Sequence, residues 1–189
     1  RVWSRLRSRK ARAWEQANTH SFFWGGAGKA CDAAGWAHNL LAGYAAAMGG
    51  DTATLFVDIK KFYEHVAHEV LWKEAEATKF PLDLLRALVG LYSGSRSIVF
   101  GQACSAPLEA GGTILAGCSC ATTLAKVLLL RLLVAVTKAF RSAEAKTVVD
   151  DISLQSLGPQ KFVASVLGKA GNMLARGLED DLRLPISAN

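Results

Sequence analysis

A chain of 189 residues with 51% hydrophobic and 20% charged residues is long enough for one cored domain, which excludes a disordered polyampholyte. The formal net charge of +6 is uneven, because Arg1, Arg5, Arg7, Arg9, Lys10 and Arg12 crowd the start of the chain. That segment suits either a polyanion such as nucleic acid or a solvated arm. Cys31, Cys104, Cys118 and Cys120 lack framework spacing and read as free thiols of a reducing compartment, with a zinc site recruiting His65 and His68 as the alternative. The basic start carries no apolar h-region or cleavage site, so the expectation is an intracellular protein of nucleus or cytoplasm, neither secreted nor membrane-spanning. Arg1 in place of Met, and the ending at Asn189, read as cuts through a longer polypeptide.

In chain order, glycines at 25–28 and 49–50 bracket an Ala-rich helical stretch over 31–48. Residues 52–59, TATLFVDI, are short, β-branched and apolar, and predict a buried strand. A helix over 61–78 should stop before Pro81, which disfavours helical geometry at the residue preceding it and suits the first turn of a second helix over 82–92. Residues 97–102 and 106–110 predict a hairpin pair, and Gly111-Gly112 turns the chain into a long helix over 118–140. Its charges, Lys126, Arg131 and Lys138, mark that stretch as a core helix and not a membrane span. A strand over 146–149, a tight turn at Asp150-Asp151, a return strand over 152–155, a helix over 159–177 and a strand over 182–186 complete the series. The order predicts an α+β fold with helices on one face of an antiparallel sheet.

Three carboxylates stand out. Asp58 ends an apolar strand, where packing gives no reason for a charge, and Asp150 and Asp151 sit at a hairpin tip. An acidic pair in a turn is ordinary by itself, since Asp is a good turn residue. Two such strands lying side by side would bring the carboxylates together, and like charges so gathered call for a cation. Hard divalent ions with oxygen ligands answer that need and support nucleotidyl transfer.

The motifs carry a resemblance. LFVDIKKFYEHVAHEVL (55–71) resembles motif A of reverse transcriptases, particularly of the non-LTR retrotransposon and group II intron kind. Asp58 matches the metal-binding Asp, Tyr63 the steric gate and His68 the following His, while Glu64 stands where an Asp is usual. TVVDDISLQ (147–155) resembles motif C, with Val148 replacing the aromatic. GGTILAGCSCATTLAKVLL resembles motif B, with Gly117 at the glycine, Ala116 where a Gln usually stands, and Cys118-Ser119 in place of the usual pair. FFWGGAGKACDAA (22–34) looks like the fingers motif, with Lys29 at its Arg, and GLEDDLRLPISAN resembles the run into motif D. Gly25 to Lys29 only superficially suggests a phosphate loop, since the glycine spacing and the Ser or Thr after the Lys are lacking.

The resemblance implies a polymerase palm with part of the fingers over 22–189, preceded by the basic segment 1–21 and truncated before the thumb. It implies RNA-directed DNA polymerisation with an RNA template, a DNA or RNA primer and dNTPs, on two magnesium ions (manganese as the alternative) held by Asp58, Asp150 and Asp151. Tyr63 would gate the sugar, Gly117 would permit close approach of template or nucleotide, and Lys29 and Lys61 would contact substrate. The alternative reading of Tyr63 is a core aromatic, and one of Lys60 and Lys61 reads as a surface charge. The second function class is a palm that binds RNA or DNA, maturase-like, without catalysis; the third is a small metabolic enzyme with an unrelated acidic metal site.

Overall fold

The computed structural model describes residues 2–25, 31–109 and 112–187. The basic segment is a helix, α1 (Val2–Ala17), and not a loose arm. Ala11 and Trp14, three residues apart, fall on one helical face and bury at 1% and 6% exposure. The Trp14 indole Nε1 donates to the Thr78 carbonyl at 2.8 Å, and its ring meets Phe80 edge-on at 5.6 Å. Glu15 on the same helix pairs with Lys126 at 3.2 Å and accepts from the Thr123 hydroxyl at 2.9 Å. The density of arginines hides this amphipathic face in the sequence.

Helix α2 (Cys31–Ala47) leads through a glycine turn into β1 (Asp51–Val57). The helix expected over 61–78 is broken into α3 (Phe62–His65) and α4 (His68–Ala77). Val66 and Ala67 between them are extended, which lets Val66 bury at 1% exposure. The end of α4 is set by backbone geometry and not by Pro81 alone. Lys79 adopts the left-handed conformation (φ 56°), its N–H reaches the Glu76 carbonyl at 3.1 Å, and the Phe80 N–H reaches Ala75 at 2.8 Å. That is a Schellman cap, closed by burial of Phe80 against the core.

After α5 (Leu82–Tyr92) comes a hairpin shorter than expected, β2 (Val99–Phe100) against β3 (Ala103–Cys104). Gly101, inside the predicted strand, has φ 59° and makes the turn, and the Arg96–Leu108 bridge extends the pairing. Helix α6 (Ala121–Ala139) is the central core element, with Leu124, Leu128, Leu129 and Leu133 at 0–1% exposure. Strands β4 (Ala143–Val148) and β5 (Asp151–Gly158) are joined by Val149 and Asp150, and α7 (Gln160–Arg176) runs into a π-helical turn, Gly177–Asp181. The last predicted strand is reduced to an Ile59–Ile186 bridge.

The main sheet has the order β1-β5-β4, all antiparallel. The mixed helix-and-sheet class read from the sequence is the one found, but the sheet is covered on both faces. On one face Leu55, Ile152, Leu154 and Ala145 meet α6 and α7, so closely that a Cβ on Gly171 would stand 2.5 Å from Leu55 Cδ2. The other face carries Phe56, Lys146, Ser153 and Gln155 and lies under α2. Among the described residues no helix is long and apolar enough to cross a membrane.

Candidate active site

Strand register builds the site. Val57 pairs with Ile152 and Val148 with Asp151, so the next step along β1 puts Asp58 opposite Asp151 on the α2 side of the sheet. The chain just after β1 is tied to the C-terminal segment, where the Ser187 N–H donates to the Asp58 carbonyl and the Lys60 N–H to that of Pro185, each at 2.9 Å. Asp150 occupies the two-residue turn with Val149, whose φ is 62°. A β-branched residue in the left-handed region is strained, and a tight hairpin would ordinarily take Gly there. Val149 is held in place by its contact with the core.

Asp150 is half-buried, and burial raises its pKa above the ordinary carboxylate value, with the charges of Asp151 and Asp58 adding to the effect. The three carboxylates therefore share one field. Tyr63, half-buried beside Phe62, joins them: burial lifts its phenol pKa, and the Asp150 charge lifts it further. The Tyr63 carbonyl accepts from the Ile114 N–H at 2.9 Å, which fastens the segment leading to Gly117 alongside motif A. Gly117 has φ 77° in a turn closed by the Cys118 N–H on the Leu115 carbonyl at 3.0 Å, and is exposed with open space where a Cβ would stand. Lys61 is exposed and left-handed (φ 45°) at the start of α3. Lys29 lies outside the described residues.

The donor set is chemically right for a hard divalent ion: carboxylates only, in mutual repulsion. Their positions are less closed. Among the described residues, no three His, Cys, Asp or Glu side chains are gathered tightly enough to hold a metal ion. The same finding covers the zinc alternative. None of the four cysteines is in a disulfide, and the buried Cys120 thiol is pushed strongly up, first by a hydrogen bond with Cys118 and then by burial. His68 ties α4 to the motif B approach, its Nε2 lying 2.9 Å from the Thr113 carbonyl oxygen, and His65 is exposed.

Two residues of the site were not singled out in the sequence. His38 of α2 bridges to β5, with Nδ1 2.7 Å from Gln155 Oε1 and Nε2 2.9 Å from Ser153 Oγ, while Gln155 Nε2 donates to the His38 carbonyl at 3.1 Å. The alternation Ile152, Ser153, Leu154, Gln155 was the available signal for a polar sheet face needing a partner. Lys146 is 98% buried on that same face; Glu144 Oε1 stands 3.0 Å from its ammonium as an ion pair, outside hydrogen-bond geometry. With His38, Phe56, Asp58, Val148 and Asp151 it lines a cavity of about 360 Å³ between α2 and the sheet. A larger cavity of about 700 Å³ lies away from the carboxylates, among Lys73, Arg131, Lys169 and Arg176.

Fold and site together define an α+β domain that presents a carboxylate-bearing hairpin at the end of a three-stranded sheet. No protein-family model matches the chain, and no curated protein matches it. In fold it is similar to apo telomerase from Candida tropicalis truncated from its C-terminal domain (TM-score 0.64, 9% identity, 97% of this chain and 38% of that one). It is also similar to telomerase from Candida albicans in complex with a TWJ fragment of telomeric RNA (TM-score 0.56, 12% identity, 95% of this chain and 32% of that one). At these identities the likeness is one of fold, and the chain spans about a third of the length of those structures.

Proposed function

We propose that this chain is the palm-centred part of a reverse transcriptase, an RNA-directed DNA polymerase. The observation that carries the reading is the strand register that sets Asp58 opposite Asp151, with Asp150 in the strained hairpin turn next to them, on a fold shared with telomerase, itself a reverse transcriptase. The retrotransposon or group II intron type rests on the motif resemblance alone. The proposed reaction is attack of a primer 3′-hydroxyl on the α-phosphorus of a dNTP, with pyrophosphate leaving, on an RNA template.

Asp58 and Asp150 would hold two magnesium ions with Asp151 beside them, and those ions would supply Lewis acidity at the attacking and leaving oxygens. The chain's own residues do the rest. Tyr63, whose phenol feels the Asp150 charge, would narrow with its ring the space available to a ribose 2′-hydroxyl. Gly117 would offer bare backbone to template or nucleotide, in a left-handed turn that disfavours a side chain. Lys61, exposed within the stretch 55–71 that resembles motif A, would be available to triphosphate or primer phosphate.

The test is primer extension on an RNA template with dNTPs and magnesium, using a polypeptide that includes this chain. Extension should fall by at least about 100-fold in Asp150→Asn and in Asp58→Asn, an effect on the scale of losing a group that stabilises transition-state charge. Tyr63→Ala should admit ribonucleotides. The second reading, a palm that binds nucleic acid without catalysis, is favoured by the carboxylates not closing round one point and by Ala116 in place of a Gln. RNA binding without magnesium-dependent extension would establish it over the first.

A further inference from the structure

Helix α6 packs against both α4 and α7. Over that layer lie two adjoining hollows, the cavity of about 700 Å³ already described and a second of about 570 Å³, and neither is lined by Asp58, Asp150 or Asp151. Lys73, Lys169 and Arg176 line the first and Lys79 and Lys138 the second, while Arg131 lines both, so the two form one groove. Helical spacing gathers these side chains. Lys169, Met173 and Arg176 recur at intervals of four and three on one face of α7, as do Arg131, Ala135 and Lys138 on α6.

Carboxylates do not balance these charges. Among the described residues, those lining the groove are Glu74 and Asp181. Glu74 is buried and already engaged, since Arg131 Nη1 donates to its two oxygens at 3.1 and 3.3 Å. No ion pair among the described residues holds Lys73, Lys79, Lys138, Lys169 or Arg176. Five cations round one concavity repel one another, and an anion seated there would relieve that repulsion. Glu74 meanwhile holds Arg131 where the two hollows meet, and a guanidinium so held keeps N–H donors to spare.

We propose that this groove binds the phosphate backbone of a nucleic-acid strand without reading its bases. Its length selects a chain of phosphates over a single one, because Arg131 and Lys138 alone are about 10 Å apart along α6. A strand carries a negative charge on every unit, which matches cations drawn from three successive elements. Among the described residues no Phe, Tyr or Trp lines either hollow, so bases find no ring to stack on and the contacts fall to phosphates. The proposal is independent of the polymerase reading, since the groove is apart from the carboxylate hairpin and its binding needs neither dNTP nor magnesium.

Fluorescence anisotropy with a labelled single-stranded RNA of mixed sequence, titrated over a range of salt without magnesium, tests this, and circular dichroism confirms the fold of each variant. Lys169→Gln with Arg176→Gln should weaken binding at least about tenfold at low salt and flatten the dependence of log K on log salt by about 1. The charge-matched control is Arg86→Gln with Lys161→Gln, both exposed and lining neither hollow, which should bind within about threefold of wild type. RNA and DNA of one sequence should bind alike, because backbone contacts carry no base readout. A groove variant no weaker than the control overturns the proposal, as does a wild-type chain that binds no RNA at low salt. Poly-glutamate bound as tightly as RNA also overturns it, and would mark a site for an acidic protein segment.

Discussion

The two faces of the central sheet are built on opposite principles. Toward α6 and α7, β5 presents Ile152 and Leu154 at 1% and 0% exposure, packed tightly enough that a Cβ on Gly171 of α7 would displace the Leu55 side chain. Toward α2 the same strand presents Asp151, Ser153 and Gln155, the last two joined to His38 by hydrogen bonds, with the buried Lys146 ammonium alongside. The first face supplies stability through area removed from water. The second is held by directed bonds, retains a cavity and carries repelling charges.

Substitutions on the two faces should separate these roles. Leu154→Ala, on the apolar face, should destabilise the fold by about 3 kcal/mol in a urea titration, through lost burial and the cavity left behind. His38→Ala should cost about 2 kcal/mol by the same measurement, because it takes the imidazole partner from the buried Gln155 amide oxygen and from the Ser153 hydroxyl. A loss as large as that of Leu154→Ala would mean that α2 packs as a true core layer. Lys146→Met should go the other way and raise stability by about 1 kcal/mol, since a methionine of similar length removes a buried charge whose single ion-pair partner is half exposed.

The smallest effect is the pH dependence of Asp150. Its folded pKa is raised, so above the ordinary value of 3.8 the folded state holds a proton that the unfolded state has lost. Stability from this group therefore falls as pH rises through that window. Asp150→Asn removes the penalty, so in the presence of a chelator its stability advantage over wild type should be larger at neutral pH than near pH 4 (a value set by ordinary carboxylates). An advantage that shrinks as pH rises would mean that Asp150 is stabilised as the anion, contrary to its raised pKa.

Much of the architecture was legible from pattern. The helix over 82–92 ends where expected, and the long core helix and the hairpin around Asp150 fall within a few residues of their predicted places. Local signals were strong there: apolar periodicity, Pro81 and the β-branched runs. The break between α3 and α4 was not legible, because the helix-forming residues on either side outweigh the two extended ones, and burial of Val66 decides the matter.

The order of residues along the chain is enough to place Asp58 at a strand end, Asp150 and Asp151 at a hairpin, and Tyr63 and Gly117 between them. Motif spacing carries that much, because side-chain alternation and turn preference are local properties. Only the tertiary structure decided that β5 lies between β1 and β4, which sets Asp58 opposite Asp151 and puts both beneath α2 beside His38 and Lys146. Strand order depends on how distant helices cover the two faces of the sheet. That is settled by packing over the whole chain and is written in no single segment of it.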